Sequence, residues 1–189
     1  MPEDTIPHNE LVVRHLTRRD ILTSFDSGQG YEELDGFLKD DARSSQENLI
    51  SRTYLCFWKN NLVGFITLVT DTIELKAVED GDQVDGYKHP KYPAIKIARL
   101  SVDKRFRKRG IGSFLLLWSI GKFNQITKQV GCRYITVDSK PQSIGFYEKY
   151  KFKLVKKYKD RDFPPMYLNA YPIISAMEPH ETLNLDESD

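Results

Sequence analysis

The chain has 189 residues, 40% hydrophobic and 29% charged, with a formal net charge of +1; that length buries a real core in one domain without disulfides or metal. No apolar run approaches the roughly 20 residues of a membrane-spanning helix, and the acidic start Met1-Pro2-Glu3-Asp4-Thr5-Ile6-Pro7 lacks the basic and apolar regions of a secretory signal, so a cytoplasmic protein with no membrane role is expected. The near-neutral charge conceals a polarity, because Glu178, Glu181, Asp186, Glu187 and Asp189 close the chain without a Lys or Arg and leave a body of about +6.

In chain order, Leu11 to Leu16 reads as a first strand, and Tyr31, Leu34, Leu38 and Ala42 recur at helical spacing through a helix ending near Asn48. Arg52–Trp58 and Leu62–Val69 are β-rich runs separated by the polar Lys59-Asn60-Asn61, which predicts a hairpin. Residues 71–93, with Asp80-Gly81-Asp82 and Asp85-Gly86, are too polar and broken for core and are expected to form a long loop, of the kind that often carries function. A strand over Ala94–Val102, an apolar helix from Ile111 to about Val130 and a strand over Arg133–Val137 make a β-α-β unit. A short helix over Ser143–Tyr150 and strands over Phe152–Lys156 and Met166–Tyr171 complete an α/β sheet of mixed direction. The domain is expected to span 1–175, with 176–189 a flexible, solubilising acidic tail. Cys56 and Cys132 stand apart in apolar stretches, as buried thiols of a reducing compartment do, and with four scattered histidines they provide no metal-ligand spacing.

Between the first strand and the helix of that unit lies Arg107-Lys108-Arg109-Gly110-Ile111-Gly112-Ser113. A helix N-terminus offers unpaired N–H groups and partial positive charge, and the glycines let backbone approach a ligand, so the turn suits an anionic phosphate. A P-loop would need Gly-Lys-Ser/Thr where Gly112-Ser113-Phe114 stands, and a dinucleotide fingerprint a third glycine at Leu115. What remains suits a pyrophosphate held by backbone N–H groups and flanking cations. Arg107, Lys108 and Arg109 are read as phosphate contacts, and Lys104 and Arg105 as a solvated charge run.

Arg107-x-x-Gly110-x-Gly112 between a strand and a helix, then Tyr134-Ile135-Thr136-Val137, then Ser143-Ile144-Gly145-Phe146-Tyr147-Glu148-Lys149-Tyr150-Lys151-Phe152, resembles the GNAT superfamily of N-acetyltransferases. Phe25-Asp26-Ser27-Gly28, Leu34-Asp35-Gly36-Phe37-Leu38, Ser51-Arg52-Thr53-Tyr54 and Ala98 to Asp103 extend the resemblance to acetyltransferase toxins of type II toxin–antitoxin modules, whose toxic members acetylate the amino group of aminoacyl-tRNA. The resemblance implies a mixed, mostly antiparallel twisted sheet flanked by helices around a central acetyl-CoA-binding β-α-β unit. It places acetyl-CoA along Leu100, Ser101 and Val102, its pyrophosphate on the turn from Arg107 to Ser113, with Phe146 nearby and Tyr147 as general acid toward the departing thiolate. Partners implied are a primary-amine acceptor such as charged tRNA, an antitoxin and a second copy in a homodimer. Lys151 stands where the family often has Gly.

Many family members carry a Glu on the strand before the turn, yet Ala94 to Arg99 has no carboxylate. A lysine amine near pKa ~10.4 needs a base, whereas an α-amine near about 7.7–8.0 is already substantially neutral around pH ~7–8, so the sequence leans toward an α-amine unless a Glu or Asp from elsewhere in the chain folds into the site. Asp138 either faces the ligand or caps the strand, and it is left out of the site. Lys149, Lys151, Lys153, Lys156, Lys157, Lys159 and Arg161 are an exposed strand face or a phosphate-tracking surface. Alternatives are a GNAT-shaped acetyl-CoA sensor without turnover, an acetyltransferase of small-molecule or protein amines, and an RNA-binding protein.

Overall fold

The computed structural model describes residues 5–177. Strands β1 (Leu11–His15), β2 (Arg52–Trp58), β3 (Asn61–Glu74), β4 (Lys91–Val102), β5 (Tyr134–Asp138), β6 (Lys153–Leu154) and β7 (Pro165–Asn169) form one sheet in the order β1-β2-β3-β4-β5-β7-β6. Every neighbouring pair is antiparallel except β4 and β5, joined by the crossover helix α3 (Ile111–Thr127). None of the described helices is long and apolar enough to cross a membrane.

The β2–β3 hairpin turns on Lys59 and Asn60 at φ 46° and 64°, the pair of left-handed residues that matches strand twist. The early helix is present as α1 (Glu32–Gly36), a π-helical turn over Phe37–Asp41 and α2 (Ala42–Glu47), and the wider turn buries the consecutive Phe37 and Leu38. Side chains alternate across the sheet. Ile66, Leu68, Ile97, Ile135 and Val137 face α3, where they pack with Ile111, Leu115, Leu116, Ile120 and Phe123; fully burying Leu115 or Leu116 is worth about 1.5–3 kcal/mol. Leu55, Leu62 and Phe65 face the other way, onto Phe37, Leu38 and Ala42. Gly64 permits the close α3 contact, since a Cβ there would lie 2.9 Å from the Ser101 carbonyl and 3.0 Å from Leu115.

The expected loop over 71–93 is corrected. β3 continues to Glu74 and β4 begins at Lys91, in register from Asp71↔Ala94 to Glu74↔Lys91. The pairing survives the polar residues because Ile73 and Tyr92 share a face and, with Val78, Ala94, Tyr134, Val155 and Tyr167, build a third apolar cluster. The 75–90 segment is pinned by polar bonds: the Tyr134 hydroxyl donates to the Asp82 carbonyl at 2.6 Å, and the Tyr167 hydroxyl to the Asp82 carboxylate at 3.0 Å.

Three further corrections concern the C-terminal part. β6 is only two residues long, because the chain turns into a 3-10 segment over Lys156–Tyr158. The basic residues there form no alternating strand face; Lys153 pairs with Glu79 and Asp82 at 2.8 Å each, Lys156 with Glu79 and Lys157 with Glu74. A helix absent from the sequence reading, α5 (Tyr171–Met177), follows β7. It runs across the expected 175/176 boundary, and the acidic residues 178–189 lie outside the described residues.

Candidate active site

β4 and β5 stay paired only from Ala94↔Tyr134 to Ile97↔Val137. Past that point Ala98 forms a bulge, since Thr67 pairs with Arg99 and Leu68 with Ile97, and a bulge bends and twists the strand that carries it. β4 continues to Val102 while β5 ends at Asp138, so the two strands part and leave the β4 edge without a neighbouring strand. The fork opens into a cavity of about 340 Å³ lined by Ile97 to Leu100, Val137 to Lys140, Tyr147, Tyr31, Glu33, Leu34, Ser143 and Phe163.

At the far end of the β4 edge lies the glycine turn. Gly110 takes φ +85°, a left-handed N-cap that favours glycine, and the Phe114 N–H donates to its carbonyl at 3.0 Å. Ile111, Gly112 and Ser113 then present N–H groups with no acceptor inside the helix. Ile111's side chain is buried in the core, leaving only its backbone for a ligand. A Cβ on Gly112 would meet Phe146 and Val102 at 3.8 Å each, so the strand end, the helix N-terminus and Phe146 converge. Leu100 and Tyr147 line the cavity.

The basic residues of the turn are less uniform than their spacing suggests. Lys104 and Arg105 are exposed, as expected, but also paired, Lys104 with Asp26 at 2.6 Å and Arg105 with the fully buried Asp103 at 2.8 Å. Burial alone would raise the Asp103 pKa, but hydrogen bonds from the Arg105 side chain and from the backbone N–H groups of Arg105 and Asp26 outweigh it and hold the carboxyl below its ordinary range. Arg107 donates to the Ser27 carbonyl and lies 4.8 Å from the Tyr31 ring. The Arg109 guanidinium lies 4.9 Å over Trp58, while Lys108, at φ 60°, is exposed. The Ser101 hydroxyl is occupied by the buried Ser27 hydroxyl at 2.7 Å.

These contacts reveal a strap over residues 26–33 that sequence reasoning missed as a functional element. On the β4 side it is held by Ser101, Asp103, Lys104 and Arg107. On the β5 side Lys140 donates to the Gly30 carbonyl at 2.9 Å, pairs with Glu33 at 2.8 Å and lies 4.5 Å from the Tyr31 ring. Gly28 and Gly30, at φ 81° and 80°, bend it across the fork.

Tyr147 comes from the short helix α4 (Ile144–Glu148) and packs with Ile97, Val137 and the α3 residues. Burial pushes its hydroxyl up to about 12, so it stays protonated at physiological pH. Lys151 adopts φ 68° at the end of that helix, the left-handed geometry a glycine would supply. On the opposite sheet face Arg99 stacks 3.8 Å over Phe37, and burial lowers its pKa against the pull of Asp41 and Glu33. Beside it, Lys96 reaches Asp138 at 2.6 Å and Asp71 at 4.0 Å. Of these acceptor-face residues only Asp138 was marked by its place at a strand end; Tyr31, Glu33, Arg99, Lys140 and Phe163 come from distant segments and carried no local signal. Cys56 is buried and its thiol pushed up to about 12, which makes it inert. No group of three or more possible metal ligands exists among the described residues.

A family model described as the acetyltransferase (GNAT) family matches residues 17–152. A tRNA-acetylating toxin of Mycobacterium tuberculosis (strain ATCC 25618 / H37Rv) is 30% identical over 142 residues, covering 75% of this chain and 83% of the toxin. Among solved structures, AtaT complexed with acetyl-methionyl-tRNAfMet superposes with a TM-score of 0.78 at 19% identity, covering 89% of this chain and 99% of that one. A mutant AtaT toxin bound to the C-terminus of the antitoxin AtaR and acetyl-CoA gives 0.70 at 18% identity, covering 90% and 99%. At these identities the structural likenesses speak for the fold.

Proposed function

Because the chain belongs to the acetyltransferase (GNAT) family and is an acetyl-CoA-dependent N-acetyltransferase, we propose that its acceptor is the α-amino group of an aminoacyl-tRNA. The observation that carries this reading is the 30% identity to a tRNA-acetylating toxin across three quarters of the chain. Two features of the cleft support it. No carboxylate stands on β4 itself, which suits an α-amine, about a quarter to two fifths neutral near pH ~7.5, better than a lysine amine, of which only about a thousandth is neutral there. Arg99 and Lys140 line the cavity on the acceptor face, where cations suit a phosphate-bearing substrate.

In this reading the pyrophosphate of acetyl-CoA rests on the N–H groups of Ile111, Gly112 and Ser113, with Lys108 and Arg109 at the rim. Arg107 contributes by holding the strap. The thioester runs along the β4 edge, where amides of Leu100 to Val102 polarise its carbonyl and stabilise the oxyanion. The amine attacks directly, the carbon–sulfur bond breaks, and Tyr147 donates its proton to the thiolate. By the same likeness an antitoxin is the expected protein partner.

The test is incubation of the protein with labelled acetyl-CoA and separate pools of charged tRNA, polyamines, free amino acids and proteins. Label is expected on the aminoacyl end of charged tRNA. Label only in polyamine or protein overturns the proposed acceptor.

A further inference from the structure

We propose that Asp138 is the group that receives the proton from the attacking amine, working from the sheet face opposite Tyr147. The inference builds on Tyr147 as the acid but is independent of which primary amine is the acceptor.

Strand alternation puts the two groups on opposite faces of the sheet. Ile135 and Val137 point to the α3 side with Tyr147, so Tyr134, Thr136 and Asp138 point to the other. Independent contacts agree: Tyr134 belongs to the cluster on that other face, Thr136 donates to Asp71 at 2.6 Å, and Asp138 meets Lys96. Asp138 is also the residue immediately after Val137, the last residue of β5 still in register with β4. Its carboxylate therefore stands at the apex of the fork, beside the Ala98 bulge.

Two carboxylates line the cavity, Asp138 and Glu33. Glu33 sits on the strap at the outer rim, paired with Lys140. Asp138 is on the rigid sheet, and its side chain is 46% exposed, open enough to meet an incoming amine. Lys96, on the neighbouring strand, holds one carboxylate oxygen at 2.6 Å. A carboxylate has further lone-pair sites, so that ion pair orients the group without exhausting it.

The cavity is thus sided. The amine enters across the face carrying Arg99, Lys96 and Asp138, while the sulfur leaves toward the α3 face and Tyr147. As the nitrogen–carbon bond forms, the nitrogen becomes positively charged and its proton passes to the Asp138 carboxylate. As the carbon–sulfur bond breaks, the electron pair goes to sulfur and Tyr147 supplies the proton. Solvent then takes the proton from Asp138 and returns one to Tyr147, which balances amine plus acetyl-CoA against amide plus free CoA.

The experiment compares wild type, Asp138→Asn, Asp138→Glu and Lys96→Met, using acetyl-CoA and whichever amine pool takes label from wild type. Asp138→Asn is expected to lower kcat by roughly 10²-fold, the scale of proton-transfer catalysis, with the KM for acetyl-CoA within about twofold and an unchanged melting midpoint. Its residual rate climbs with pH more steeply than the wild-type rate, because hydroxide must replace the carboxylate. Asp138→Glu recovers part of kcat, and Lys96→Met costs less than about tenfold. Wild-type kcat in Asp138→Asn, or an equal loss in Lys96→Met and Asp138→Asn, overturns the assignment; the latter outcome makes Asp138 only an anchor for the strand end. Should charged tRNA take no label while another amine does, the proposed acceptor falls and the Asp138 comparison is read on that amine.

Discussion

At the α3 end of the fork the groups proposed to meet the pyrophosphate are backbone amides, set by Gly110 at φ +85° and by the missing side chain of Gly112. Across the sheet, the acceptor face is made of side chains held by one another: Lys96 by Asp138, Lys140 by Glu33, Arg99 by Phe37. A backbone site is pre-organised by the fold and tolerates changes in the charges around it. A side-chain site can be re-specified by one substitution, as suits functions grafted onto a shared fold.

The largest expected effect lies where the two sides meet. Tyr147→Phe should cut kcat by about 10²-fold or more while leaving the KM for acetyl-CoA within about twofold, read by release of free CoA. Because burial holds the phenol protonated up to about 12, the wild-type rate should hold through pH ~10, where an ordinary tyrosine is half ionised. A fall in kcat centred near pH ~10, the ordinary tyrosine value, would place the hydroxyl in a wetter setting than the one described.

The next test separates backbone from side chain. A methyl on Gly112 meets Phe146 and Val102 only at 3.8 Å, an ordinary contact, so Gly112→Ala should fold with an unchanged melting midpoint. It should nevertheless raise the KM for acetyl-CoA about tenfold, about 1.4 kcal/mol, because the Cβ occupies space beside the phosphates. Lys108→Ala, a loss of charge at the same rim, should cost less than about threefold, in line with an exposed contact. Equal effects in isothermal titration with CoA would mean that side-chain charge, not backbone, carries the donor site.

The smallest effect concerns a place where the backbone demands glycine and the chain does not supply it. Lys151 at φ 68° carries strain of about 1 kcal/mol relative to glycine. Lys151→Gly should raise the melting temperature by about 2–4 °C in a thermal scan and leave kcat unaltered. A lower melting temperature would show that the lysine side chain contributes more there than its backbone costs.

The strand, glycine turn and helix proposed for the donor were legible in the sequence because their requirements are local: two glycines, a strand before and an apolar helix after them. The same holds for the β2–β3 turn. Most of the acceptor face was not, because Glu33, Arg99, Lys140 and Phe163 meet only after the sheet assembles and none sits in a pattern that calls for its chemistry; Asp138 alone carried a local mark, its place at a strand end. The 71–93 region was misread for a related reason. Its few apolar residues, Ile73, Val78 and Tyr92, look isolated along the chain yet share one cluster with Tyr134, Val155 and Tyr167. Arg107 shows the converse, a cation in the right motif whose guanidinium is claimed by the Ser27 carbonyl.

The strap that bridges the fork also sets when the enzyme can first work. Its bonds join residues far apart in the chain, Asp26 to Asp103 across 77 positions and Gly30 to Lys140 across 110, and such contacts form only after intervening strands have paired. A nascent chain emerging N-terminus first carries the strap long before it owns either anchor. The cleft is therefore completed only after both anchors are made, and a ribosome making this acetyltransferase is not exposed to a finished cleft on the chain it carries until Tyr147 and Lys140 have both left the exit tunnel.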